Sequence, residues 1–184
     1  MAFLDAQSRT VLFDPPDVYE EALARYALSA EDIAFARAHR RSHNRLGFAI
    51  QLALVRDLGR PLRAGEVPPQ AIVSVVADQL GIDAAVFALY AQREETRREH
   101  TREIVVALDL QPVRASDYRS LITAAAREAA ATEQGEPITK AVIEALKERK
   151  LLVPVPELLI RLAMAGRAAA RRQAYRGLIR GMEQ

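Results

Sequence analysis

The chain contains no cysteine and no long run of apolar residues. Without cysteine it forms no disulfide bond and no cysteine-ligated zinc site. No apolar run approaches the roughly 18 residues that a membrane-spanning helix requires. The N-terminal segment carries an acid at Asp5 and lacks the apolar centre of a signal peptide. These absences predict a cytoplasmic protein without a membrane partner.

The motifs of common nucleotide-binding and hydrolytic sites are also missing. The sequence has no GxGxxG, GxxxxGK[ST] or GxSxG pattern, which excludes phosphate loops and nucleophile elbows. His39 and His43 lie on either side of an expected helix break and lack the glutamate of a metalloprotease motif. Neighbouring acids such as Glu94 and Glu95 diverge on a helix instead of converging on one substrate. We therefore predict no catalytic residue, no cofactor, no metal site and no enzyme.

Helical signals follow one another along nearly the whole chain. Ser29 and Asp32 have the spacing of a capping box. Ser42 and Gly59 are typical residues for the start and the end of a longer helix. No βαβ alternation, hairpin dipeptide or internal repeat is present. The sequence predicts an all-α protein, a compact bundle of about eight or nine helices.

Two helical subdomains are expected within this bundle. The segment "QPVRAS" reads as a linker between helices. We place the first subdomain at 1–112 and the second, with a basic C-terminal helix, at 113–184. The first contains an element with the outline of a helix-turn-helix.

Charge is strongly segregated although the net charge is only +2. Residues 36–63 carry seven arginines against one acid, and residues 158–184 carry six arginines against one acid. Residues 1–35 instead carry two arginines and seven acids. This layout predicts localised anion-binding surfaces on a nearly neutral protein.

The densest basic cluster immediately precedes a helix that is apolar on nearly every side. The stretch is "HRRSHNRLGFAIQLAL", residues 39–54. A cation at a helix N-terminus opposes the helix dipole by roughly 0.3–1 kcal/mol, but the same position favours an external anion such as phosphate. In a helix-turn-helix, the start of the second helix faces base edges. The predicted DNA-binding residues here are Arg40, Arg41, His43, Asn44 and Arg45.

Within this cluster, Asn44 and Arg45 are the candidates for base contacts, and Arg40 and Arg41 for phosphate contacts. The alternative is a solvated arginine loop that forms salt bridges with the acidic segment 1–35.

A second candidate cluster lies on the predicted helix "REETRREHTREI". Arg93, Arg97 and His100 share a face that continues into apolar positions. One interpretation is a semi-buried network that holds helices together through ion pairs. The other interpretation is contact with DNA phosphates.

A third candidate cluster lies on the last helix, where Arg172, Arg176 and Arg180 recur every four residues. Like charges at this spacing repel by roughly 0.2–0.5 kcal/mol per pair. An external polyanion would remove that repulsion. A solvated, basic helix end is the alternative.

Three stretches of the chain resemble the N-terminal region of class II replicative transposases, the Tn3 family. They are "LSAEDIAFARAHRRSHNRLGFAIQLALVRDLGRPL", "EVPPQAIVSVVADQLGID" and "YAQREETRREHTREI". The resemblance runs from about Leu28 to Leu110 and continues more loosely to "RRQAYR" near the end. It implies a helical part that binds double-stranded DNA at the transposon's terminal inverted repeats.

In that family, strand transfer belongs to a distant C-terminal RNase-H-like domain with three acidic metal ligands. Because this chain stops at Gln184, the resemblance implies recognition without catalysis. Further expected partners are the remainder of the transposase or a second copy of the chain. The alternative function is a helical protein–protein or oligomerisation module of the transposition machinery, without direct DNA contact.

Overall fold

The computed structural model describes residues 2–63, 65–92 and 94–182, with the side chains of 91, 178 and 180–182 left undescribed. These residues form ten α-helices and no strand, which confirms the all-α prediction. One isolated parallel bridge joins Gln111 and Leu151. The helices are α1 (Ala6–Phe13), α2 (Tyr19–Arg25), α3 (Ala30–Arg37), α4 (Ser42–Leu58), α5 (Gln70–Leu80), α6 (Phe87–Ala91), α7 (Glu94–Ala107), α8 (Tyr118–Ala129), α9 (Gly135–Glu148) and α10 (Pro156–Met182).

The number of helices exceeds the expected eight or nine because α1 was not predicted. The carboxylate of Asp5 accepts a hydrogen bond from the backbone N–H of Ser8 at 2.7 Å and caps this helix. Phe13, the last residue of α1, is buried. Asp5 was therefore a usable helix-start signal.

The predicted caps of α3 and α4 are partly correct. Both hydrogen bonds of the Ser29–Asp32 capping box are present, which confirms that prediction. Gly59 ends α4 with a φ of 71°, a left-handed conformation that favours glycine. The prediction that Ser42 caps α4 is wrong. Arg41 holds that position without a side-chain cap, and Ser42 is already helical.

The described chain divides into two compact units. The central unit is Pro15–Leu110, and the terminal unit combines Met1–Asp14 with Gln111–Gln184. The predicted subdomains, 1–112 and 113–184, differ from these units in the first residues of the chain. The physical reason is that Leu4 and Phe13 are buried in the apolar core of the terminal unit.

Helix α4 forms the centre of the central unit. Every residue from Leu46 to Val55 is buried, as expected for a helix that is apolar on all sides. Helices α3, α5, α6 and α7 pack against it, and α2 packs on α5. The buried part of α4 therefore holds the first turn of the same helix in place.

The terminal unit is built from three long helices and one short one. Helices α8, α9 and α10 pack against one another, and α1 packs on α9. Leu121, Val142 and Leu159 lie fully buried at the centre.

No single helix in the described parts of the chain is long and apolar enough to cross a membrane. One bent pair of helices is together long and apolar enough by length and composition only. It consists of Gln70–Leu80 and Ala84–Tyr90, with an angle of 116° between them.

Candidate nucleic-acid interface

The turn between α3 and α4 carries the two most exposed members of the first basic cluster. Helix α3 ends at Arg37 and α4 begins at Ser42. Arg40 and Arg41 are exposed, and neither forms an ion pair with any residue that the structure describes. The backbone N–H of Arg45 donates to the carbonyl of Arg41, so this turn leads directly into the first turn of α4.

Three other arginines around α4 have acidic partners. Arg25 binds Asp57 at 2.6 Å, and Arg60 binds Glu66 at 2.8 Å. Arg56 binds Asp32, the carboxylate that also closes the α3 capping box.

The first turn of α4 is less exposed than the sequence predicted. His43, Asn44 and Arg45 are all half-buried. The Nε of Arg45 donates a hydrogen bond to the backbone carbonyl of His39 at 2.6 Å. The Oδ1 of Asn44 is buried and has no hydrogen-bond partner within the described residues. Arg45 thus ties α4 to the turn, which the sequence pattern did not indicate.

Arg97 of α7 is buried and bonded to backbone. Its Nη2 donates to the carbonyl of Arg63 at 2.9 Å and to that of Glu66 at 3.4 Å. These contacts fix the connection between α4 and α5, and they favour the structural interpretation of Arg97 over phosphate contact. The ion pairs expected in that interpretation are replaced by bonds to backbone carbonyls.

Arg93, the third member of the α7 cluster, lies outside the described residues.

His100 lies in an aromatic cluster below the α3–α4 turn. Its ring centre is 4.5 Å from that of His39 and 5.5 Å from that of Tyr90. Burial, and then the neighbouring His39, lowers the pKa of His100 to about 4.

His39 belongs to the same cluster. Burial also lowers its pKa, although the carboxylate of Glu103, 3.8 Å from the His39 Nε2, opposes that shift. Arg45 adds to the lowering. Both imidazoles are therefore neutral at pH 7, and His100 is no exposed cation for DNA.

The terminal unit presents the third cluster on α10. Arg172 and Arg176 are exposed and form no ion pair with described residues. The side chain of Arg180 lies outside the described part of the chain. Arg171, which the sequence did not single out, binds Glu133 at 2.5 Å.

Sequence reasoning missed two residues that organise the central unit. Gln51 and Tyr90 are almost completely buried, and the Gln51 Nε2 donates to the Tyr90 hydroxyl at 3.1 Å. A lone glutamine within the apolar run of α4 was the available signal, because buried polar groups require partners.

The described residues contain no group of three or more His, Cys, Asp or Glu side chains that could hold a metal ion.

Comparison with known proteins identifies the family. The model of a "Domain of unknown function (DUF4158)" matches residues 3–166. A transposase for transposon Tn501 of Pseudomonas aeruginosa is 31% identical over 176 residues, which cover 96% of this chain and 18% of that protein. A transposase for transposon Tn3926 of Escherichia coli is 30% identical over 177 residues, with the same coverage of 96% and 18%.

A shorter match shows higher identity. A transposase for transposon gamma-delta of Escherichia coli (strain K12) is 42% identical over 90 residues, which cover 48% of this chain and 9% of that protein. The chain thus spans no more than 18% of the length of these relatives. It belongs to the DUF4158 family and matches the N-terminal region of Tn3-family transposases, as the sequence resemblance indicated.

Proposed function

We propose that the chain binds double-stranded DNA through the turn between α3 and α4. The observation that carries this proposal is the exposed pair Arg40 and Arg41 at the start of α4, without an acidic partner among the described residues. Two cations at this position oppose the helix dipole. A phosphate that binds there relieves this repulsion and also meets the free N–H groups of the helix start.

The pairing of nearby acids argues against the alternative of a solvated, salt-bridged arginine loop. Asp32, in the acidic segment 1–35, binds Arg56 instead of either turn arginine. Asp57 binds Arg25, and Glu66 binds Arg60. These three carboxylates are thus engaged away from Arg40 and Arg41.

We further propose that the binding is sequence-specific and that its target is the terminal inverted repeat of a transposon. The support is membership of a family whose relatives are transposases. In this proposal Arg40 and Arg41 contact phosphates, while His43, Asn44 and Arg45 face the bases from the first turn of α4. The chain then acts as the non-catalytic, DNA-recognising part of transposition.

The test uses labelled duplexes from the DNA that flanks the gene, a scrambled duplex of equal composition, and a range of salt concentrations. We expect Arg40→Ala/Arg41→Ala to weaken binding to both duplexes and to reduce the slope of log affinity against log salt by about two units, near 0.9 per lost phosphate contact. The matched control, Arg98→Ala/Arg102→Ala, removes two exposed arginines of α7 in the same unit.

If plots of log affinity against log salt have the same slope for both double variants, the proposed contact of Arg40 and Arg41 with phosphates is contradicted. The alternative function, a helical protein–protein module, predicts instead that the wild-type chain is nearly indifferent to duplex DNA at every salt concentration. A preference for the flanking duplex over the scrambled one tests the proposed specificity.

A further inference from the structure

A chain of hydrogen bonds in the central unit assigns the proton of His100. The Gln51 amide is oriented by its Oε1, which accepts from the backbone N–H of Leu62 at 3.2 Å. Its Nε2 is therefore the donor, and its acceptors are the Tyr90 hydroxyl at 3.1 Å, the Arg97 carbonyl at 3.2 Å and the Thr101 hydroxyl at 3.3 Å. The Tyr90 hydroxyl lies 3.2 Å from the Nδ1 of His100 and passes its own hydrogen there. This direction of the hydrogen bond corresponds to a neutral imidazole with its proton on Nε2.

Beyond His100, contacts between rings and not hydrogen bonds lead to the α3–α4 turn. The ring of His100 stacks on the ring of Tyr90, with 21° between the ring planes. The ring of His100 also contacts that of His39, which is half-buried. His39 lies in the turn beside Arg40 and also contacts Phe48 of α4, with 4.3 Å between ring centres. His39 therefore packs on both Phe48 and His100.

The ring of Tyr90 packs directly against α4. A Cβ atom added to Gly47 would lie 2.2 Å from the Tyr90 ring, so only glycine permits this approach of α4 and α6. The ring of Tyr90 is therefore held in place, which keeps its hydroxyl 3.2 Å from the Nδ1 of His100.

We propose that Tyr90 and His100 are positioning residues for the DNA contact of the α3–α4 turn, and that they hold the turn only while His100 is neutral. They act through His39, which sets the backbone of Arg40 and Arg41. This inference rests on the proposed function and adds a means of regulation at that same site.

Protonation breaks the arrangement for a geometric reason. A protonated His100 carries a hydrogen on Nδ1 and no longer accepts from Tyr90, so the buried hydrogen of the Tyr90 hydroxyl loses its acceptor. It also places a positive charge against the ring of His39. The charged and titratable groups that face the two rings are Tyr90 on α6, Arg45 on α4 and Glu103 on α7. Arg97 on α7 acts on Tyr90.

Among these groups, Glu103 opposes the effect, because its carboxylate favours a protonated His39. Burial lowers the pKa of His100 to about 4. The turn is therefore held at neutral pH and released by acid.

The first experiment compares Tyr90→Phe with the wild-type chain. The variant keeps the ring that fills the space beside Gly47 and removes only the hydroxyl. We expect the backbone amides of residues 38–41 to exchange hydrogen about fivefold faster or more, which is the factor that one lost hydrogen bond corresponds to. Affinity for the flanking duplex should fall by a similar factor.

The matched control is Val76→Ala, which shortens a fully buried side chain of α5 in the same unit. It destabilises the unit without touching the turn, so turn exchange and duplex affinity should stay at wild-type values well below its Tm. A Tyr90→Phe chain that matches Val76→Ala in both measurements would overturn the positioning role.

The second experiment follows turn exchange from pH 7 to pH 4.5, corrected for the intrinsic pH dependence of exchange. His100→Asn provides a neutral acceptor for Tyr90 at every pH. We expect wild-type turn amides to lose protection on acidification, and most of that loss to disappear in His100→Asn. Identical profiles would refute the requirement for neutral His100.

These exchange measurements need no DNA. A chain that shows the expected exchange but binds no duplex would refute the proposed function and leave the positioning of the turn standing. A chain that binds the duplex but shows no exchange effect would refute only the positioning role.

Discussion

Asn44 lies at the first turn of α4, and its buried Oδ1 has no hydrogen-bond partner among the described residues. An amide at the start of a recognition helix is well suited to an adenine edge. If it reads a base, Asn44→Ala weakens binding to the flanking duplex by roughly 1–3 kcal/mol and relaxes discrimination against one base pair. Competition binding against single-base variants of the duplex measures this. An Asn44→Ala chain whose affinities for the flanking and the scrambled duplex equal those of the wild type would remove Asn44 from the set of base-reading residues.

Arg45 differs from Asn44 because it also bonds to the carbonyl of His39. We expect Arg45→Ala to weaken specific binding by roughly 1–3 kcal/mol if the side chain reads a base. Arg45→Lys keeps the charge but loses the Nε donor and the planar fork. A lysine variant that binds both duplexes as tightly as the wild type would show that Arg45 contributes only charge.

Arg97 provides a prediction about stability. Arg97→Ala leaves the carbonyls of Arg63 and Glu66 without their guanidinium donor, and we expect the free energy of unfolding to fall by roughly 1–3 kcal/mol. The salt slope of DNA binding should not change. The control is Arg98→Ala, which removes an exposed pair with Glu94 and should alter stability by at most about 0.5 kcal/mol. A fully stable Arg97→Ala chain whose salt slope drops by about one unit would instead show a phosphate contact.

At the scale of one element, the outer part of α10 tests a contact with the DNA backbone. Arg172, Arg176 and Arg180 span about 12 Å along the helix, at about 1.5 Å per residue. If they follow the backbone, replacing all three with Gln lowers affinity for related and unrelated long duplexes alike. The salt slope then falls by up to about three units, while the specificity ratio stays constant.

The matched control for α10 replaces three cations of the same unit, Lys140, Lys147 and Lys150, with Gln. If α10 is a solvated helix end, plots of log affinity against log salt for the wild type and the triple arginine variant coincide. Its thermal stability then rises slightly because repulsion between the arginines is removed.

At the scale of the whole molecule, the histidine cluster predicts how stability depends on pH. Burial lowers the pKa of His100 to about 4 and also lowers that of His39. The unfolded chain therefore binds more protons than the folded chain between about pH 4 and pH 6.5. Stability is fully present above this window and is lost as the pH falls through it, with His100 accounting for up to about 3 kcal/mol.

Urea unfolding at pH 7, 6 and 5 measures this loss. Hydrogen exchange of the α4 amides monitors the unfolding, so the measurement reports on the central unit. The variant His100→Asn should lose less stability than the wild type across the same window. A flat stability profile in the wild-type chain would contradict the assignment of neutral, buried histidines.

Local patterns determined much of what was predicted correctly. The capping box at Ser29 and Asp32, the glycine that ends α4 and the apolar run of α4 each act within a few residues. Helix formation depends on such short-range terms together with burial of an apolar face. The sequence by itself therefore determined the all-α class, the buried helix α4 and the basic residues that precede it.

Tertiary structure decided which basic residues are accessible and which are structural. Arg56 and Arg97 are as cationic as Arg40 in the sequence, yet one binds Asp32 and the other binds the backbone of the α4–α5 connection. Those partners are distant along the chain, so no periodicity within one helix reveals them. The same holds for Tyr90, whose ring fills the space that Gly47 leaves open. Side-chain identity sets what a residue can bind, but only packing brings its partner within reach.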